Sequence, residues 1–404
     1  MRKHIRTIGV AASVFFVAMT GFNGLVDPYK IWNVLEIKGI NSEKSELAAH
    51  ERIFKTVGLA QQPANTIILG TSRSDIGLDP THPAIGNSGL NLAISSQPNH
   101  ESRLFFDRAI DVMGSKTFVI GLDFFVTNSL LVQPPDFVSD NYEGGRIAAL
   151  IASVSTLKDS LKTLIKRKTY PGDTWTPQGL RNGWDKRVRK ELGHRKVMGD
   201  SEMSYLKNHY LAPPACSFQF GTIDRKPTPT EEIRAIFIRA HRDRIALKLL
   251  ISPSHARQWE TLAAADRWAQ WEEWKHRLVS MNEEEARRAG QSPFPLWDFS
   301  GYNSVTTETV PPLGDTQTMM RWYFDSSHYA PAAGNLVLDR IFNYRSPDRT
   351  VPDDFGVLLT PQTIEAHLAR IRADRERYRQ THPQDVAEIE AMAREVAKTK
   401  RCKV

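Results

Sequence analysis

Twenty consecutive residues without a charge, Thr7 to Val26 (TIGVAASVFFVAMTGFNGLV), follow a head that carries Arg2, Lys3, His4 and Arg6. At about 1.5 Å per residue a helix of that length covers about 30 Å, the thickness of a bilayer's hydrocarbon core. It is apolar on every face, unlike the amphipathic helices that pack onto a cytosolic core. The segment therefore reads as membrane targeting. The basic head and Asp27 just after the run place the amino terminus in the cytoplasm and the bulk of the chain outside it. The expectation is a single-pass anchor of a bacterial inner membrane with most of the protein in the periplasm or extracellular space. A cleaved signal peptide is the alternative, since the most apolar part, Ile8 to Met19, is short, although no small-x-small site comes after it.

The remainder of the chain is long enough for one large or two medium domains. With 404 residues, 41% hydrophobic and 25% charged, disorder, collagen and fibrous repeats are excluded. Cys216 and Cys402 are distant from each other, so neither a disulfide framework nor a cysteine metal site is expected. The net charge of +7 is local: residues 151–200 hold twelve Lys/Arg against five Asp/Glu, and the remainder is balanced. This describes a basic insertion rather than a nucleic-acid-binding face, and no nucleic-acid partner is expected.

Two short β-branched runs, Asn65 to Gly70 and Lys116 to Leu122, flank a helical pattern over Glu101 to Val112 in which Leu104, Phe105, Ala109 and Val112 share a face. Strand, helix, strand with glycine near each strand end predicts an α/β fold with a parallel sheet. A third run, Ala246 to Ser252, leads through Pro253 into a helical pattern from about His255 to Ala289. The hundred-odd residues between the second and third strands are too many for one loop, so an inserted cap is expected. The resulting division is 1–26 head and anchor, 27–63 juxtamembrane segment with a helix from Ser45 to Leu59, 64–132 first half of the sheet domain, 133–230 basic insertion, 231–345 second half, and 346–404 a charged helical tail. In the tail, Thr360 and Pro361 read as an N-cap and first helical residue, with helices to about Gln380 and Lys398.

Chemistry concentrates in two places. Ser72, in Gly70-Thr71-Ser72-Arg73, stands just past the carboxyl end of the first strand, where open α/β sheets bind ligands. By turn and cap preferences a serine in that composition is more often a turn or helix-cap residue, so a partner is needed. Near the other end, Tyr323-Phe-Asp-Ser-Ser-His-Tyr329 offers Asp325 and His328 three residues apart, with Gly334 leading into a helix from Asn335 to Phe342. A serine nucleophile needs a base, and that histidine needs a carboxylate to fix its tautomer.

The Gly-x-Ser block followed by a late Asp-x-x-His block resembles the SGNH, or GDSL-like, hydrolases. Asp27-Pro28-Tyr29, Ser72-Arg73, Gly77-Leu78-Asp79-Pro80 and Asn91-Leu92-Ala93 are similar to its membrane-anchored branch, which includes the D-alanine transfer and exopolysaccharide O-acetylation proteins. The resemblance implies a three-layer α/β/α sandwich and a Ser72–His328–Asp325 triad. The activity implied is that of an esterase or O-acyltransferase on an acylated cell-envelope or secreted polysaccharide, without cofactor or metal. An acyl donor or a membrane-bound O-acyltransferase would be its partner. In that family a glycine and an asparagine complete the oxyanion hole. Here serines up to Ser96 stand near the place of the glycine and Asp123 near that of the asparagine. An ionised aspartate cannot donate, so Asn91 or Arg73 is expected to substitute. Failing that, the chain is a non-catalytic scaffold that binds polysaccharide or a membrane acyltransferase. A plain secreted lipase is a third possibility.

His255, after the third strand, reads as a helix-start residue or as a substrate-binding group. Trp259, Trp268, Trp271 and Trp274 read as core, or as a sugar-stacking surface. The lysines and arginines near 166–168 and 186–190 form a solvated face or contact anionic headgroups. His82, His100, His194 and His209 lack the spacing of metal ligands.

Overall fold

The computed structural model describes residues 2–131, 144–166, 168–170, 172–211, 217–221 and 227–400. Cys216 and Cys402, and with them the reading of the cysteines, lie outside the described residues, as does part of the insertion. The chain forms two compact units: residues 1–62, 134–176 and 181–183 make one, and 63–133, 177–180 and 184–404 the other. The stretch 133–230 is thus shared between them rather than a body of its own.

In the first unit the apolar run is one helix, Arg2–Val26, long and apolar enough to cross a membrane. Its carboxyl end is capped from the segment after it. Asn41 Nδ2 donates to the carbonyls of Leu25 and Val26, at 3.2 and 3.3 Å, and Lys44 Nζ donates to Val26 O at 2.7 Å, placing a cation at the negative end of the helix. Asp27 turns the chain with φ 48° by accepting from the backbone N–H groups of Ile31, Trp32 and Asn33. The helix expected over Ser45 to Leu59 is broken into short pieces from Ala48 to Gln61, including a π-turn over Phe54–Gly58. A two-residue antiparallel ladder in this unit pairs β4, Thr174–Trp175, with β5, Arg181–Asn182.

The second unit is α/β, built on six strands: β1 Thr66–Leu69, β2 Gly89–Asn91, β3 Thr117–Leu122, β6 Ala246–Ile251, β7 Leu296–Asp298 and β8 Val357–Leu358. Their order is β2-β1-β3-β6-β7-β8. All neighbours are parallel except β7 and β8, so the sheet is mostly rather than wholly parallel. The central strands are apolar on both faces, as a parallel strand covered on both sides requires: Ile67, Ile68, Leu69, Leu249 and Leu250 have no exposed surface. Helix Asn99–Asp111 packs on Pro229–Asp243 with Phe105, Phe106 and Ala109 buried. Val112, expected on that face, is 61% exposed because the helix has ended before it.

The long helical pattern after His255 is two helices, Ala256–Ala264 and Trp268–Ala289. Asp266 breaks them at φ 55°, a conformation that Asp tolerates better than most residues. Trp259, Trp271 and Trp274 are buried between packed elements and Trp268 is half-buried beneath Arg375, which places them in the core rather than on a sugar platform. The tail helices are Ile364–Thr381 and Pro383–Lys400. Thr363 occupies the N-cap position, and Thr360 instead closes the preceding turn by accepting from Gln362 and Thr363.

Candidate active site

Parallel strands deliver their carboxyl ends to one edge, and the chemistry collects there. After β1 the chain turns through Gly70, at φ 139°, where a Cβ would strike Ser74 Oγ and approach the carbonyl of Gly121. Thr71 caps the short helix Ser72–Gly77, so Ser72 is its first residue and is partly exposed. After β3 comes Asp123, and after β6 the turn Ser252–His255.

The loop from Tyr323 to Tyr329 is held against this edge. Tyr323 and Tyr329 bridge its two ends, and the Tyr323 hydroxyl donates to Pro253 O at 2.8 Å. The His255 N–H donates to Ser326 O at 3.0 Å, and Ser326 Oγ donates to Gln258 at 3.2 Å. The loop presents His328 to Ser72: Nε2 lies 2.8 Å from Ser72 Oγ, and Nδ1 lies 2.7 Å from Asp325 Oδ2. Asp325 Oδ1 accepts from the backbone N–H groups of Ser327 and His328, at 2.8 and 2.9 Å. Burial pushes the Asp325 carboxyl up, but its electrostatic interaction and hydrogen bond with His328 and these two N–H groups outweigh burial and hold it below the ordinary carboxylate value. An ionised Asp325 can only accept, so Nδ1 carries the imidazole proton and Nε2 is left to accept from the serine hydroxyl. Ser72, His328 and Asp325 therefore stand hydrogen-bonded in series, in the arrangement that makes a serine nucleophilic.

The groups expected around the oxyanion are placed differently. Arg73 is buried, with Nη1 2.7 Å from Asp123 Oδ1 and Nε 3.0 Å from Ser327 Oγ. The other oxygen of Asp123 accepts from Thr71 Oγ1 at 2.6 Å. Asp123 is thus paired and fully engaged, and its charge is compensated rather than directed at the serine. Both expected substitutes are committed elsewhere: Arg73 joins the two loops, and Asn91 Nδ2 donates to the carbonyls of Ser74 and Leu78, at 2.8 and 2.9 Å. Ser96 is an exposed left-handed turn residue at φ 51°. His255 is buried and is the N-cap of Ala256–Ala264, accepting from Arg257 N and donating from Nε2 to Glu308 O at 2.7 Å. Its part is to position the loop, not to meet substrate.

Several residues of the site carry no local signal. Tyr205 OH lies 2.8 Å from Ser327 Oγ, and Trp184 tilts over the His328 ring at 4.9 Å between centroids. Both come from the stretch read as an insertion. His194, whose spacing is not that of a metal ligand, braces the approach to the loop: Nδ1 donates to Phe324 O, and Nε2 accepts from Met320 N, each at 3.0 Å. Burial lowers its pKa, in keeping with that neutral role.

Farther along the same edge, Asp298 at the end of β7 is buried with Lys275 Nζ at 2.6 Å and His367 Nε2 at 2.9 Å. Asp298 and His367 line a cavity of about 500 Å³ together with Ser300, Asp354 and Tyr378. Set against known proteins, the chain matches no family model, no curated protein and no solved structure.

Proposed function

We propose that this chain is an exported, membrane-anchored serine esterase or O-acyltransferase of the SGNH type. On this reading the sheet unit is a three-layer α/β/α sandwich lying in the periplasm, and its substrate is an acylated cell-envelope or secreted polysaccharide. The observation that carries the reading is the hydrogen-bonded series Ser72–His328–Asp325 at the carboxyl edge of a parallel sheet. Ser72 Oγ attacks the acyl carbonyl while His328 Nε2 takes its proton. Asp325 holds the imidazolium, which then protonates the leaving alcohol, and water or a sugar hydroxyl resolves the acyl-serine. The backbone N–H of Ser72 is the donor this reading assigns to the developing oxyanion. The polysaccharide rests on the resemblance and on the export signal.

A second reading is a scaffold that binds polysaccharide without turning it over. It is favoured by the engagement of Asn91 and Arg73 away from the serine and by the cavity beside Asp298 and His367. A fluorophosphonate probe separates the two. The full chain in detergent is expected to label at one site per molecule, and Ser72→Ala and His328→Ala to abolish labelling. A folded wild type that stays unlabelled across a pH series would leave the scaffold.

A further inference from the structure

The helix Val154–Lys166 in the first unit is turned inside out. Its buried positions, Thr156, Asp159, Ser160 and Thr163, are polar, whereas Val154, Leu161 and Ile165 are 54%, 46% and 78% exposed. An amphipathic helix on a protein core shows the reverse order. The buried polar face has its partners. Thr156 Oγ1 donates to Leu150 O at 2.7 Å, Asp159 accepts from Tyr29 OH at 2.7 Å, and Ser160 Oγ donates to Asn23 Oδ1 at 3.1 Å. On the other side Leu157 and Leu164 are half-buried, while Val154, Leu161 and Ile165 keep about half or more of their surface bare.

The helix's position says what covers that side. Asn23, fully buried in the last turns of Arg2–Val26, donates to Ile151 O at 2.8 Å and Ser153 O at 3.2 Å, so the inverted helix begins beside the end of the apolar one. A second exposed apolar stretch, Val34 to Ile40, is tied to the same end by Asn41, which donates to Leu25 O and to Leu35 O at 2.7 Å. Residues 3–18 of Arg2–Val26 are exposed throughout, and beyond them Met19, Asn23 and Val26 are buried by the unit itself. Only residues 7–18 of this bare part are free of charge; twelve residues span about 18 Å, well short of the ~30 Å of a hydrocarbon core. Lys158, Lys162 and Lys166 recur at helical spacing and are exposed, as Val154, Leu161 and Ile165 are; Lys162 and Lys166 also reach Glu46, at 3.2 and 2.6 Å. Apolar side chains mixed with lysines suit the boundary between acyl chains and anionic headgroups.

We propose that the outward face of Val154–Lys166, with the stretch Val34 to Ile40, forms a collar seated in the headgroup layer of a bilayer containing anionic phospholipid. It rests on the reading of Arg2–Val26 as a membrane anchor. The collar makes up the thickness that the bare part of the anchor leaves uncovered, and it fixes the first unit against the membrane instead of leaving it tethered above.

The test uses the full chain with Cys216 and Cys402 changed to serine and a single fluorescent label at Val14→Cys, Ile165→Cys or Glu365→Cys. The protein is reconstituted in phosphatidylcholine vesicles with and without phosphatidylglycerol, carrying quenchers on the lipid either near the headgroup or deep in the chain. The Val14 label is expected to be quenched from deep positions. The Ile165 label should be blue-shifted and quenched from shallow ones, more strongly with phosphatidylglycerol, and the Glu365 label should respond to neither. Quenching at Val14 without any at Ile165 overturns the collar and leaves the anchor standing. An unquenched Val14 overturns the anchor and the collar with it. Equal quenching at Ile165 in both vesicle types overturns the part assigned to anionic headgroups.

Discussion

Arg73 follows the candidate nucleophile in sequence, yet its guanidinium reaches Asp123 after β3 and Ser327 beside His328. One side chain thereby ties together the two segments that must meet for Ser72 to be activated. Because the pair is buried, removing one partner leaves an uncompensated charge. Arg73→Met is expected to cost about 3–5 kcal/mol, read as a lowered urea midpoint, with Asp123→Met on top of it recovering most of the loss. His255 carries a pH dependence of known sign. Burial holds its imidazole from 6.5 down to about 4, so between those values the unfolded chain binds the extra proton and stability falls as pH falls, by about 3 kcal/mol over the window. His255→Asn keeps a capping oxygen and should shallow that slope in unfolding measured from pH 7 to 4. At this scale the site was half legible. Ser72, Asp325 and His328 stand in short blocks whose residue types announce their chemistry. Tyr205, Trp184 and His194 reach the site only through contacts between distant segments, and no spacing in the sequence records those.

Among the elements, two helices meet backbone to backbone. The helix Pro331–Phe342 comes after the His328 loop, and Gly334 lies in its first turns, not ahead of them as the sequence suggested. A Cβ on Gly334 would run into the carbonyl of Gly77 in the helix that begins at Ser72, and one on Gly77 would run into the ring of Tyr329. The contact brings the helix after the His328 loop close against the one that begins at Ser72. Gly334→Ala is therefore expected to lower stability by about 1–3 kcal/mol and to reduce fluorophosphonate labelling further than that loss explains, a comparison made at a temperature where the variant remains folded. β1, β3 and β6 could be read from their apolar runs, whereas β2, β7 and β8 have two or three residues each, too few to show a period. The break at Asp266 was hidden for a different reason: the chain turns there without glycine or proline.

At the scale of the molecule, the charged tail is part of the sheet unit. Arg257, 1% exposed, holds Glu202 with two hydrogen bonds of 2.7 and 2.9 Å and reaches Asp385 in Pro383–Lys400 at 2.7 Å. Val386, Ile389, Ala393 and Val396 of that helix are buried. Composition alone made the segment look like an appendage, because its arginines and acids outnumber the few apolar positions that dock it. Arg257→Met should destabilise the unit by about 3–5 kcal/mol, and limited proteolysis should then cut first within 383–400. Ser72 and His328 are 256 residues apart in the chain, and the helix that Arg257 fastens comes later still. At about 5–20 residues per second of synthesis, roughly 13–50 s separate the making of the serine from the making of its partner. Throughout that interval the growing chain carries Ser72 as an ordinary alcohol. On the proposed reading, an ester encountered during that interval meets a chain that has not yet made His328.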